Sequence, residues 1–238
     1  MAALLICGAI KAEEKQITSP DGKILVTISD KNGQPSYSVS YNGTPFIHSS
    51  PLGLVTNVGD FSRDMSLGQN VRSNKIDETY TLPNIKQSNV HYVATEAVYQ
   101  FSQQDKVAFD VIFRVSDRDV AFRYKMYPQK KALSCVVKEE MTGFVLPEGS
   151  TTYKADDSMG KNGWGEGYTF PCLFRNGDKG WILISETGVD SKYCGSRLLG
   201  HENGLYTIGF PQEGEMNGNG TTAPGLALPG ETPWRTIT

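Results

Sequence analysis

Val107-Ala108-Phe109-Asp110-Val111-Ile112-Phe113-Arg114-Val115 is followed, after Ser116-Asp117-Arg118-Asp119, by Val120-Ala121-Phe122-Arg123-Tyr124-Lys125-Met126. In both runs every second residue is apolar. An extended chain points alternate side chains to opposite faces, so this spacing gives each run one apolar side. The short polar stretch between them predicts a hairpin. The reading extends outward to strands at Ile24 to Ser29, Ser36 to Tyr41, Glu96 to Phe101, Ser134 to Glu139, Trp181 to Ser185 and Leu205 to Phe210. Asn42-Gly43 is a two-residue hairpin signal that turns the chain into Pro45-Phe46-Ile47. No stretch carries a 3.6-residue apolar stripe of helical length. The expected fold class is therefore all-β, a large antiparallel β-sandwich with few or no helices. The long polar segments Asn57 to Asn89 and Glu213 to Gly225 read as loops or excursions.

The chain has 238 residues, 38% of them hydrophobic and 21% charged, with 25 Gly, which suits one turn-rich globular domain. Its net charge is -3 with scattered Lys and Arg, which argues against nucleic acid or an anionic membrane surface as partner. Residues 1–12 open with the apolar run Ala2 to Ile10 and reach a polar boundary at Lys11-Ala12-Glu13-Glu14, as the end of an export signal would; a short apolar first strand is the alternative. Export implies a periplasmic or secreted protein. The run is too short to span a bilayer. The domain expected after it covers residues 13–238, and the closing Pro233-Trp234-Arg235-Thr236-Ile237-Thr238 reads as a β segment with no polar tail, as if the chain continued.

No nucleophile elbow, zinc motif, phosphate loop or dinucleotide fingerprint is present. His48, His91 and His201 stand in separate polar contexts and read as surface residues. Cys135, Cys172 and Cys194 allow at most one disulfide, and three buried inert thiols are an equally good reading. Carboxylates are the remaining chemical groups. Glu186 ends the apolar run Trp181-Ile182-Leu183-Ile184-Ser185, and Asp190 follows four residues later, so their oxygens suit a hard cation such as calcium. From the pattern alone a solvated strand-end Glu is the simpler reading, and Asp156-Asp157 reads as a solvated loop pair. Trp164, Tyr168 and Phe170 lie in a glycine-rich loop where aromatic faces could meet sugar rings or pin the loop to the sandwich.

Several segments taken in order carry a resemblance: Ile17-Thr18-Ser19-Pro20-Asp21-Gly22-Lys23, Tyr41-Asn42-Gly43, Tyr168-Thr169-Phe170-Pro171, Ile184-Ser185-Glu186 with Tyr193-Cys194, and Thr232-Pro233-Trp234-Arg235. Over residues 16 to 238 the chain resembles the N-terminal domain of glycoside hydrolase family 97, bacterial exo-acting enzymes that split α-glucosidic or α-galactosidic bonds. The resemblance implies a galactose-mutarotase-like supersandwich, followed in the parent enzyme by a (β/α)8 barrel that carries the catalytic carboxylates and is missing here. It implies an oligosaccharide substrate, a calcium ion near the reacting sugar, and Glu186 as the ligand that this domain contributes, without extending that role to Asp190. No catalytic residue is expected within the chain, and Trp164 is the candidate sugar contact. A free-standing carbohydrate-binding module and a purely structural interaction domain are the competing expectations.

Overall fold

The computed structural model describes residues 13–84, 86, 88–153, 167–211 and 223–238. The proposed signal remnant, Asp156-Asp157 and Trp164 lie outside them.

Among the described residues the strands form three antiparallel sheets. An eight-stranded sheet runs, in spatial order, Glu14–Thr18, Ile24–Ser29, Ser36–Tyr41, Thr44–Pro51, Gly143–Val145, Leu205–Gly209, Arg197–Gly200 and Tyr168–Thr169. The second sheet runs Thr151–Tyr153, Cys172–Asn176, Gly180–Thr187, Trp234–Ile237, Val120–Met126, Lys106–Ser116, Asn89–Gln103 and Met65–Thr81, with Gly230–Glu231 pairing beside Val120–Met126. A small third sheet joins Gly225–Ala227, Ser134–Glu140, Leu54–Thr56 and Asp60–Phe61. The helical residues described are two short 3-10 turns, Lys31–Gly33 and Glu202–Gly204, and no helix is long and apolar enough to cross a membrane.

The alternation that predicts the hairpin decides what the sheets bury. Phe109, Val111, Phe113 and Val115 face inward, as do Phe122 and Tyr124 on the next strand, each with no measurable exposure. The two strands pair in register, Phe122 opposite Phe113, and those rings stack at 5.1 Å. Tyr37 reaches across from the eight-stranded sheet to within 4.9 Å of Phe122, so the sheets meet through aromatic contact. Its hydroxyl is not stranded, because it donates to the Gly143 carbonyl at 3.0 Å.

Asn42 and Gly43 adopt φ of 48° and 76°, the left-handed pair that a two-residue hairpin requires. The segment expected as a loop or excursion from Asn57 to Asn89 is different. Met65–Thr81 is a 17-residue strand paired with Asn89–Gln103. It forms the edge of its sheet, and beyond Leu67 most of its described side chains are exposed, so no apolar alternation marks it. Its Arg72, itself exposed, donates to the buried Asp110 carboxylate two strands away at 2.8 Å.

Candidate functional site

Gly180–Thr187 alternates like the other strands: Ile182 and Ile184 face the core, and the period of two carries Glu186 to the same face at the strand's end. Trp234–Ile237 pairs antiparallel beside it, with Arg235 opposite Glu186. Ile237 is buried, and the same period points Arg235 inward with no exposure at all. A charged pair therefore occupies a core-facing cross-strand position.

The guanidinium of Arg235 binds two carboxylates. Its Nε and Nη2 form a fork on Glu140 at 2.8 and 2.6 Å, and its Nη1 donates to Oε2 of Glu186 and, at 3.0 Å, to Oγ of Ser196. Ser196 returns two bonds to Glu186, its Oγ donating to Oε2 at 2.7 Å and its N–H to Oε1 at 2.9 Å. Tyr193 Oη donates to Glu140 at 2.9 Å. Burial pulls the Arg235 guanidinium down, but the charge and hydrogen bonds of Glu140, with Tyr193 and Glu186, more than reverse this and hold it above the ordinary arginine range. Burial, and then the charge of Glu140, pushes the Tyr193 phenol well above its usual range. Burial likewise raises the Cys194 thiol.

The row thus holds two carboxylates, one guanidinium and a neutral phenol. Glu140 is sealed at 3% exposure, whereas the Glu186 side chain keeps 11%. Of the four acceptor sites on Glu186, Oε2 uses two and Oε1 one, so one lone pair on Oε1 has no partner among the described residues. A charge of about -1 is left over at the end of the row that opens outward. A calcium ion takes about six to eight oxygens, and the described residues contain no group of three acidic, His or Cys side chains that could hold a metal. The fit is therefore that of one ligand: Glu186 can contribute, and the remaining oxygens would come from elsewhere. Glu140 and Glu186 do not form a hydrolytic pair, because Glu140 is closed to any substrate.

Glu186 is thus not the solvated strand-end residue that the pattern alone favours; it is mostly buried and ion-paired. Asp190 is in an exposed turn where its carboxylate accepts the Lys192 N–H; only its backbone carbonyl meets the row, accepting the Tyr193 N–H at 3.3 Å, so its carboxylate is turned to a different partner from those of Glu186. Tyr168 and Phe170 pack against the core, and Tyr168 meets Tyr206 at 6.0 Å, so for these two the loop-pinning reading holds. The candidate sugar contact Trp164 lies outside the described residues. His48, His91 and His201 are exposed, His91 on Asp77 and His201 on Thr207. Cys135, Cys172 and Cys194 form no disulfide among the described residues. Sequence reading missed Glu140, Ser196 and Arg235 as functional groups, although an Arg in a core-facing register beside Ile237 was a usable signal.

A family model described as Glycosyl-hydrolase 97 N-terminal matches residues 17–238. The chain is 30% identical over 218 residues to a probable retaining alpha-galactosidase of Streptomyces bingchenggensis (strain BCW-1), covering 86% of this chain and 32% of that protein. Among solved structures, a beta-arabinopyranosidase shares 47% identity at a TM-score of 0.86, over 94% of this chain and 40% of that one. A Glycoside Hydrolase Family 97 enzyme from Pseudoalteromonas sp. strain K8, in complex with acarbose, superposes at a TM-score of 0.79 with 24% identity, over 94% and 35% of the two chains, and shows the shared fold. The chain spans about a third of the length of the curated relative.

Proposed function

Since the chain belongs to the glycosyl-hydrolase 97 N-terminal family, we propose that it is the non-catalytic sandwich of an exported, calcium-dependent, exo-acting glycosidase. Its role is to bring one fixed carboxylate to a reaction centre built mostly by the rest of the polypeptide. The observation that carries this is the Oε1 lone pair of Glu186 left unused among the described residues, held in place by Ser196 and backed by a row with one negative charge to spare. The substrate class we favour is a galacto-configured ring. Relatives are named for alpha-galactosides and beta-arabinopyranosides, and β-L-arabinopyranose has the ring configuration of α-D-galactopyranose without its exocyclic carbon.

In this reading Ser196 orients Glu186, and Arg235 ties it to the core so that it does not swing to solvent. Calcium, when bound, supplies positive charge next to the reacting sugar. The acid and the base or nucleophile lie outside this chain, since Glu186 is one carboxylate and hydrolysis needs two.

The test uses the polypeptide extended to the length of its relatives. Aryl α-galactosides and β-L-arabinopyranosides should turn over faster than α-glucosides, and residues 13–238 alone should turn over none. Glu186→Gln should lose calcium affinity and activity together, with partial recovery at high calcium. Unchanged calcium affinity in that variant would remove Glu186 from the ion. Export is checked by N-terminal sequencing of the mature protein, where cleavage near Ala12 is expected.

A further inference from the structure

Glu140 makes no bond to Glu186, yet both carboxylates bind the same guanidinium. Glu140 takes two of the four hydrogen bonds described for the Arg235 guanidinium, in a fork, and it is sealed from solvent. A lone guanidinium within hydrogen-bond distance of Glu186 would cancel its charge and repel any cation seated on Oε1. With Glu140 on the far side, the positive charge of Arg235 is already matched, and Glu186 keeps its own.

We propose that Glu140 is the charge-setting residue of this site: by neutralising Arg235 from behind, it leaves Glu186 fully anionic toward a divalent cation that Glu140 itself never touches. This rests on the reading of Glu186 as a cation ligand. The alternative for Glu140 is a purely structural one, a buried partner for a buried arginine, and the two make different forecasts. A structural role requires only that the pair be present or be replaced by something that packs. The charge-setting role depends on the sum over the row. Removing Glu140 alone takes that sum from -1 to 0, whereas removing Glu140 and Arg235 together returns it to -1.

The experiment measures calcium affinity by titration calorimetry, and terbium affinity by luminescence, on the polypeptide extended to the length of its relatives. Four proteins are compared: the parent, Glu186→Gln, Glu140→Gln, and Glu140→Gln combined with Arg235→Met. Folding of each is verified by circular dichroism at the temperature of the titration. Glu140→Gln should weaken calcium about tenfold or more, since one full charge a few ångströms away acts in a partly dry site. The double variant should recover to within about threefold of the parent, because Ser196 still orients Glu186 and the charge sum is restored. Parent affinity in Glu140→Gln, or a double variant that binds as weakly as the single one, overturns the proposal. If Glu140→Gln alone fails to fold, the double variant decides: parent-like affinity supports the charge count, and a tenfold loss sinks it. If Glu186→Gln binds calcium like the parent, the ligand reading fails first, and this inference falls with it. Loss in Glu186→Gln with no loss in Glu140→Gln fails the inference alone.

Discussion

Arg235 is an arginine with no solvent exposure whose five N–H donors are almost all spoken for: two on Glu140, and Nη1 shared between Glu186 and Ser196. A buried ion pair contributes little net stability when compared with an apolar replacement, but removal of one partner strands the other. Arg235→Met leaves Glu140 buried with only the Tyr193 hydroxyl as a described partner. We expect that change to cost about 3–5 kcal/mol of unfolding free energy, read by urea denaturation. Glu186→Gln should cost less, about 1–3 kcal/mol, because its side chain reaches water and the amide still accepts from Ser196 or Arg235. A Glu186→Gln protein as stable as its parent would mean that the cross-strand pair is decorative. Calcium affinity and stability thus separate: the first follows the charge sum of the row and the second follows whether any buried charge is left alone.

The hairpin of Lys106–Ser116 and Val120–Met126 is the element that carries the core. Phe122 touches Phe113, Tyr37 and Phe144 at ring distances of 5.1, 4.9 and 6.5 Å, which makes it the contact point of the two large sheets. Phe122→Ala should therefore cost about 3–5 kcal/mol, the range for an aromatic deleted from a packed core. A loss below about 1 kcal/mol in thermal or urea unfolding would show that the sheets close over the gap. That hairpin was legible in the sequence because one face is wholly apolar and the period is clean. The strands Ile24–Ser29 and Ser36–Tyr41 were legible for the same reason, as was the turn at Asn42 and Gly43, whose left-handed backbone favours those residues. Met65–Thr81 was not, since an edge strand is held by backbone bonds to a single neighbour and its side chains need bury nothing. The site was legible only in part. A strand-end Glu is visible from its own strand, but the rest of the row comes from Ser134–Glu140, from the irregular segment at Ser196, and from Trp234–Ile237, and only the folded sheet brings these together.

At the scale of the whole molecule, Tyr37, Tyr99, Tyr124 and Tyr193 sit in the sealed interior among the described residues. Burial raises Tyr37, Tyr99, Tyr124 and Tyr193 above the ordinary tyrosine range, with nearby Glu140 adding to the effect at Tyr124 and Tyr193. The unfolded chain releases these protons near the ordinary tyrosine value of about 10, while the folded protein retains them. Above that pH the folded state binds more protons than the unfolded one, so stability falls as pH rises. Below it the four groups are neutral in both states and contribute no slope. We expect melting temperatures to be flat from neutral pH to about 9 as far as these groups are concerned and then to drop steeply. Absorbance at alkaline pH should show a set of tyrosines that ionise only together with the loss of near-ultraviolet dichroism. Smooth titration of all tyrosines before unfolding would contradict the packing described above.

The strand Trp234–Ile237 comes after every other described strand in sequence, yet it lies inside its sheet, between Gly180–Thr187 and Val120–Met126. It alone joins the two halves of that sheet along the described strand order. A ribosome that adds about 5–20 residues per second therefore releases every other described strand before the one that unites them. Until it emerges, the edges bearing Ile184 and Val120 have no neighbour, and each is free to pair with the wrong strand or with another nascent chain. Among the described strands the keystone of this sheet is thus the latest to be made, and the two halves can close on each other only after residue 234 clears the exit tunnel.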